Sequence, residues 1–183
     1  MRPNVAAVQS ELLLVRHRRG DPAALRHLVA LWERPLLYYL RRLLSSEEDA
    51  WDALQETWYR VVRQLPQVRD GRALPAWLYV VARNAAFTLR RRRRIAEPLP
   101  DGTDAPELLA GTPEPSLAGF DPLDIHRALA RLNLAHREVL TLHFLEGFPV
   151  AEIGIITGAA EGTVKSRLHY AKRALRELLE GGD

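Results

Sequence analysis

Residues 150–168 read VAEIGIITGAAEGTVKSRL, and how this stretch folds decides the rest of the chain. Gly154 falls where two helices cross closely and only a small residue fits. Four positions on, Gly158 ends the first helix and takes the left-handed conformation of a tight turn. Val164, six further, plugs the core from a second helix. The pattern is that of a helix-turn-helix. From 161 to 175, EGTVKSRLHYAKRAL sets Val164, Leu168, Ala171 and Leu175 on one face at spacings of four, three and four. The opposite face carries Lys165, Arg167, His169, Lys172 and Arg173, with Ser166 and Tyr170 among them. A solvated amphipathic helix is the plainer reading of that face alone. Glycine turn and basic helix together favour a helix laid into duplex DNA, its N-terminal residues near base edges.

Charge is divided along the chain in the same spirit. The net value is only +3 over 183 residues, but residues 1–95 hold 18 basic against 9 acidic side chains. Residues 96–122 hold 6 acidic and no basic ones, and 123–183 hold 8 of each. Such blocks imply separate surfaces for separate partners. A hydrophobic content of 47% suits a globular protein. With no cysteine, thiolate catalysis, cysteine-ligated zinc and disulfides are excluded. No apolar run is long enough for a membrane span and no signal peptide opens the chain, so a cytoplasmic location is expected.

The segment IAEPLPDGTDAPELLAGTPEPSLAGFDP, 95–122, has six prolines and three glycines and forbids a long helix. It reads as a linker over 96–122 between a domain of residues 1–95 and another of 123–183. Both domains read as helical. Asp21 is placed to cap a helix with Pro22 at its first position, and Ser45-Ser46-Glu47-Glu48 caps the next. That helix carries an apolar stripe of Ala50, Leu54, Trp58, Val61, Val62 and Leu65, with Asp49, Asp52 and Glu56 on another face. A further helix ends in five arginines, Arg90 to Arg94. After the linker, helices are expected near 123–132, 135–146, 150–157 and 161–179. No strand-like alternation stands out, so the fold class is all-α.

These segments resemble a known family. LARLNLAHREVLTLHFLEGFPVAEIGIITGAAEGTVKSRLHYAKRALRELL is similar to the fourth conserved region of extracytoplasmic-function sigma factors, small initiation subunits of bacterial RNA polymerase in the sigma-70 family. DAWDALQETWYRVVRQL and LPAWLYVVARNAAFTLRRRRR resemble their second region, in the right order. The resemblance implies a first domain that grips the polymerase clamp helices and melts the −10 element, and a second that meets the polymerase flap and reads the −35 element. It matches Asp49, Asp52, Gln55 and Glu56 to the clamp-binding surface, where composition alone would favour a solvated face. Arg83 and Asn84 become contacts to the non-template strand, with residues 68–74 shaping a pocket. Trp77 is a candidate stacking residue, although a Trp at helical spacing is more often core. Arg90 and Arg91 open the run that would follow the phosphates. At the −35 element the resemblance places Thr163, Lys165, Ser166, Arg167, His169 and Tyr170, with Lys172 and Arg173 on phosphates. The linker either runs through the polymerase cleft or is an inert tether.

Five positions depart from the family pattern. Trp51 stands where a carboxylate is usual, and Asn133 replaces a proline, which predicts a looser turn. Gly154 replaces a common alanine. Ala159-Ala160 replaces a branched residue and a serine, which predicts a weaker cap on the recognition helix. The sequence closes at Glu180-Gly181-Gly182-Asp183, so control is expected from outside, by an anti-sigma protein that is often membrane-tethered. One rival is a helix-turn-helix regulator that never joins polymerase. It is disfavoured because residues 1–95 show no receiver-like alternation. The other is an enzyme, and six histidines without ligand spacing and no Gly-rich phosphate loop speak against it. No cofactor, metal or small-molecule substrate is expected.

Overall fold

The computed structural model describes residues 3–96 and 121–181, and the expected linker falls largely on 97–120, outside the described residues. Every regular element described is helical. Helix α1 (Pro3–Arg18) turns at Gly20 into α2 (Pro22–Leu43), whose first free N–H groups are met by Asp21: its Oδ1 accepts from the Ala23 N–H at 2.8 Å. Ser46 caps α3 (Glu47–Gln64) by accepting from the Asp49 N–H at 3.1 Å, and Glu47 and Glu48 follow at the positive end of the dipole. A 3-10 turn at Leu65–Gln67 and a short loop lead to α4 (Leu74–Ala96).

The second half contains α5 (Pro122–Arg131), α6 (Leu134–Leu140) with a π-helical continuation over Thr141–Leu145, α7 (Val150–Thr157) and α8 (Glu161–Glu180). The turn expected to be loose at Asn133 is held. Its side chain caps α6, accepting from the His136 N–H at 2.8 Å, a bond that proline could not make.

Apolar residues from both halves join one cluster. Helices α1, α2, α3 and α4 pack on one another, α8 packs on α5, α6 and α7, and the halves meet where α7 lies on α4 and α6 lies on α2. Trp32, Tyr39, Tyr79 and Phe148 form the aromatic centre of that seam, each at most 5% exposed. Tyr79 meets the Phe148 ring edge-on at 4.8 Å and lies 5.0 Å from the Tyr39 ring. Burying a side chain of the size of Phe148 contributes about 1.5–3 kcal/mol, so the seam is a substantial contact.

Candidate nucleic-acid and partner interfaces

The turn of the helix-turn-helix is built as its glycines demand. Gly158 adopts φ 69°, and the Ala159 N–H donates to the Gly154 carbonyl at 3.1 Å. A Cβ on Gly154 would lie 2.9 Å from the Ala159 carbonyl oxygen. The close approach there is to the turn's own backbone, where a helix crossing was expected. Val164, Leu168, Ala171 and Leu175 are all buried and hold α8 to the body of the second half. That leaves Thr163 and Lys165 exposed, and Ser166, Arg167, His169 and Tyr170 half-exposed beside them. Ser166 donates to the Thr163 carbonyl at 3.0 Å, and the His169 and Tyr170 rings meet edge-on at 5.5 Å. Lys172 departs from this set: it is 7% exposed and its ammonium lies 5.1 Å from the centre of the Phe144 ring. Arg173 pairs with Glu177 at 3.0 Å and Arg176 with Glu180 at 2.6 Å. Ala160 occupies the cap position of α8 without a side-chain bond, as the missing serine led us to expect.

On α3, Asp52, Gln55 and Glu56 are exposed, with Glu56 held by Arg60 at 2.6 Å. Asp49 does not join them. It is 1% exposed and its carboxylate is paired with Arg93. The reason is its row on the helix: Asp49, Ala53 and Thr57, four apart, all face inward. Their small side chains were the signal for an inward face. Trp51, Gln55 and Tyr59 form the outward row beside Asp52 and Glu56, and both aromatics are exposed. Val62, expected in the buried stripe, is exposed as well.

Helix α4 divides its candidates. Asn84 is exposed, while Trp77 is half-buried and packs against the core. Trp77 also forms one wall of a cleft of about 370 Å³, with Gln64, Gln67, Val68, Arg69, Asp70 and Ala73. Arg90 donates to the Leu43 carbonyl at 2.7 Å, and Arg91 and Arg92 are exposed. No ring nitrogens and carboxylates cluster to hold a metal among the described residues, and no described helix is long and apolar enough to cross a membrane.

Residues 28–95 match the family described as Sigma-70 region 2, and residues 123–175 match Sigma-70 region 4. The ECF RNA polymerase sigma factor SigL of Mycobacterium tuberculosis is 40% identical over 158 residues, covering 84% of this chain and 85% of the relative. This chain is an extracytoplasmic-function sigma factor. SigF of Caulobacter vibrioides, of the same family, is 33% identical and covers 93% of this chain and 94% of its own. Among solved structures, RpoE of Bartonella quintana in complex with the anti-sigma factor NepR aligns with a TM-score of 0.68 at 26% identity, over 88% of this chain and 99% of that one. CnrH, in complex with the cytosolic domain of CnrY, shares the fold with a TM-score of 0.69 at 23% identity, over 96% and 99% of the two chains.

In this sigma factor the region 4 helices cover part of the region 2 surface. Glu138 of α6 is 3% exposed and accepts from the Tyr39 hydroxyl at 2.7 Å and from Arg83 Nε at 2.8 Å through the same oxygen. Its second oxygen receives Arg83 Nη2 at 3.4 Å. Burial, and then the adjacent Glu138 charge, pushes the Tyr39 phenol well above its ordinary pKa. Nearby, the Tyr79 hydroxyl donates to Glu146 at 2.5 Å. Burial raises the Glu146 carboxyl, and the Tyr79 hydrogen bond partly offsets this. His126 of α5 sits 2.6 Å from Arg42 and 3.3 Å from the Tyr38 hydroxyl, and burial followed by the Arg42 charge lowers its pKa. Tyr39, Tyr79, Glu138 and Glu146 went unnoticed in the sequence because nothing local marks a residue whose partner lies far along the chain.

Proposed function

We propose that this sigma factor joins core RNA polymerase through the outward face of α3 and directs initiation by reading −10 and −35 elements with its two halves. The observation that carries the reading is the pairing, in order, of an acidic-polar exposed face on region 2 with an exposed cationic face on a region 4 helix-turn-helix. Asp52, Gln55 and Glu56 supply carboxylates and an amide for an arginine-bearing partner such as the clamp helices. Trp51 and Tyr59 add apolar area around them. Asp49 acts through α4, fixing Arg93 rather than touching the partner.

For the −10 strand, Asn84 offers an amide to a base edge, and the cleft beside Trp77 has one aromatic wall and a polar rim suited to an extruded base. Arg91 and Arg92 follow the backbone. For the −35 element, Thr163, Lys165, Ser166 and Arg167 lie on the first turns of α8, the part that meets base edges in this motif. His169, Tyr170 and Arg173 reach phosphates further along. The two halves correspond to domains of residues 1–95 and 123–183 joined through 96–122. The protein works by recognition and carries out no covalent chemistry of its own. An anti-sigma protein controls it; the likeness to RpoE, solved with NepR, supports that partner.

The test is co-elution with core RNA polymerase on gel filtration, for the wild type and for the double substitution Asp52→Arg, Glu56→Arg. The wild type is expected to co-elute and the charge-reversed protein to run free. Failure of both to bind, with dimeric retardation of duplex DNA, would restore the regulator reading. That reading leaves the region 2 match at 28–95 without a role.

A further inference from the structure

We propose that Glu138 stands in for a nucleic-acid phosphate, so that region 4 masks in cis an anion-binding site on region 2 centred on Arg83. This rests on the reading of Arg83 as a promoter-strand contact and adds what occupies it when no promoter is present. Arg83 lies on α4, Tyr39 on α2 and Glu138 on α6, so the contact exists only while the halves are together. Carboxylate and phosphate take the same two-pronged approach to a guanidinium. Here one carboxylate receives Arg83 Nε at 2.8 Å and Nη2 at 3.4 Å, with the Tyr39 hydroxyl completing it at 2.7 Å.

The rest of the site is shaped for a nucleotide as well. The Arg83 guanidinium stacks 4.2 Å from the centre of the Phe87 ring, which fixes its plane. Once α6 is lifted, a cation, an aromatic face and a phenolic hydroxyl stand side by side. Those are the groups that hold single-stranded nucleic acid. Arg83 cannot serve both anions, because Glu138 already engages the donors on the edge it presents. Strand binding and the clasp therefore exclude each other, and the free protein's affinity is reduced by the fraction of molecules that are open.

The chain has no cysteine, so dyes can be attached selectively at the exposed positions changed by Arg26→Cys and Arg131→Cys. Energy transfer between them reports whether the halves are together. Binding of a fluorescein-labelled, AT-rich single-stranded oligodeoxynucleotide at low salt reports the uncovered site without involving duplex recognition by α8. Glu138→Gln keeps the shape and removes the charge. It is expected to lower energy transfer and to raise oligonucleotide affinity about tenfold, the worth of one charge-assisted bond in this setting. Tyr39→Phe removes one donor from the clasp and the same donor from the uncovered site, so it is expected to shift the opening read by energy transfer about threefold, with no matching gain in affinity. This milder variant decides the matter if Glu138→Gln loses helicity.

Arg83→Gln separates the two claims. It should open the halves as Glu138→Gln does, yet give no gain in oligonucleotide binding. If both variants open and both gain affinity, Arg83 is not the strand contact and the phosphate mimicry is overturned. Energy transfer unchanged in both Glu138→Gln and Tyr39→Phe would overturn the clasp itself.

Discussion

Two stretches of this sigma factor are rich in cations, and they turn out to be different objects. The arginines at the end of α4 are five in succession, yet Arg90 is bound to the Leu43 carbonyl and Arg93 to the buried Asp49. Arg91 and Arg92 are exposed there and make no ion pair among the described residues. The cations of α8 are spaced out, and the first of them, Lys165 and Arg167, make no ion pair among the described residues, while Lys172, Arg173 and Arg176 are committed to Phe144, Glu177 and Glu180. A run of charge is thus a poor measure of a binding surface. Which cations already have an anion or a ring is the better one, since a committed cation must break a contact before it can neutralise a phosphate.

The largest effect expected from this contrast is on α8. Arg167→Ala should weaken binding to a −35 duplex by about 1–3 kcal/mol, the range for a specific side chain at a base edge, with little loss of stability because Arg167 is half-exposed. Electrophoretic retardation against salt checks it. A shift confined to the salt slope would make Arg167 a phosphate contact instead.

Next comes the α4 run, tested through the anion that quiets it. Asp49→Ala removes a buried carboxylate from the first turn of α3, where it also faces the helix dipole. Unfolding in urea should show a loss of about 1–2 kcal/mol, kept modest because its partner Arg93 is mostly exposed and can rehydrate. The same substitution releases Arg93. Non-specific DNA binding should then gain about one unit in its salt slope. A polymerase-binding defect with unchanged stability would instead return Asp49 to the partner surface.

Much of this was legible from the sequence, and for physical reasons. Asp21, Ser46 and Gly158 are local devices whose partners lie within a few residues, so their spacing alone announces them. The buried face of α8 followed from its period. What escaped was contact between distant segments. Asp49 has the spacing of Asp52 and Glu56, three and then seven residues on, and only the small residues in its own row reveal that it points inward. Asn133 suggests a loose turn only beside the proline it replaces, whereas an Asn before a helix is itself a capping signal. The Arg83–Glu138–Tyr39 cluster joins three helices, and no periodicity within one of them contains it.

Lys172 provides a finer test of the distinction between committed and available cations. Lys172→Met keeps the stem and removes the charge from the Phe144 ring. Stability should fall by about 0.5–1 kcal/mol in thermal unfolding, the value of a partly shielded cation–ring contact. Its −35 affinity should stay within about twofold of wild type, whereas Lys165→Met, at an exposed position, should lower it more. Equal losses in the two variants would mean that Lys172 leaves its ring for the DNA.

The smallest effect concerns the start of the same helix. Asp21, Ser46, Asp121 and Asn133 each accept a backbone N–H at the head of α2, α3, α5 and α6, but Ala160 offers none to α8. Its φ of −62° and ψ of 149° are already those of a capping residue. Serine there needs no backbone adjustment, and its oxygen can accept from the N–H at the second or third position of the helix. Ala160→Ser should therefore stabilise the protein by about 0.5–1 kcal/mol, read as a higher Tm with unchanged far-ultraviolet helicity. The residue is exposed, so no packing is lost to confuse the sign. If the Tm does not rise, water already meets those N–H groups as well as a hydroxyl can. The departure from serine at 160 then carries no cost in stability, and its meaning lies in what the first turn of α8 presents to the promoter.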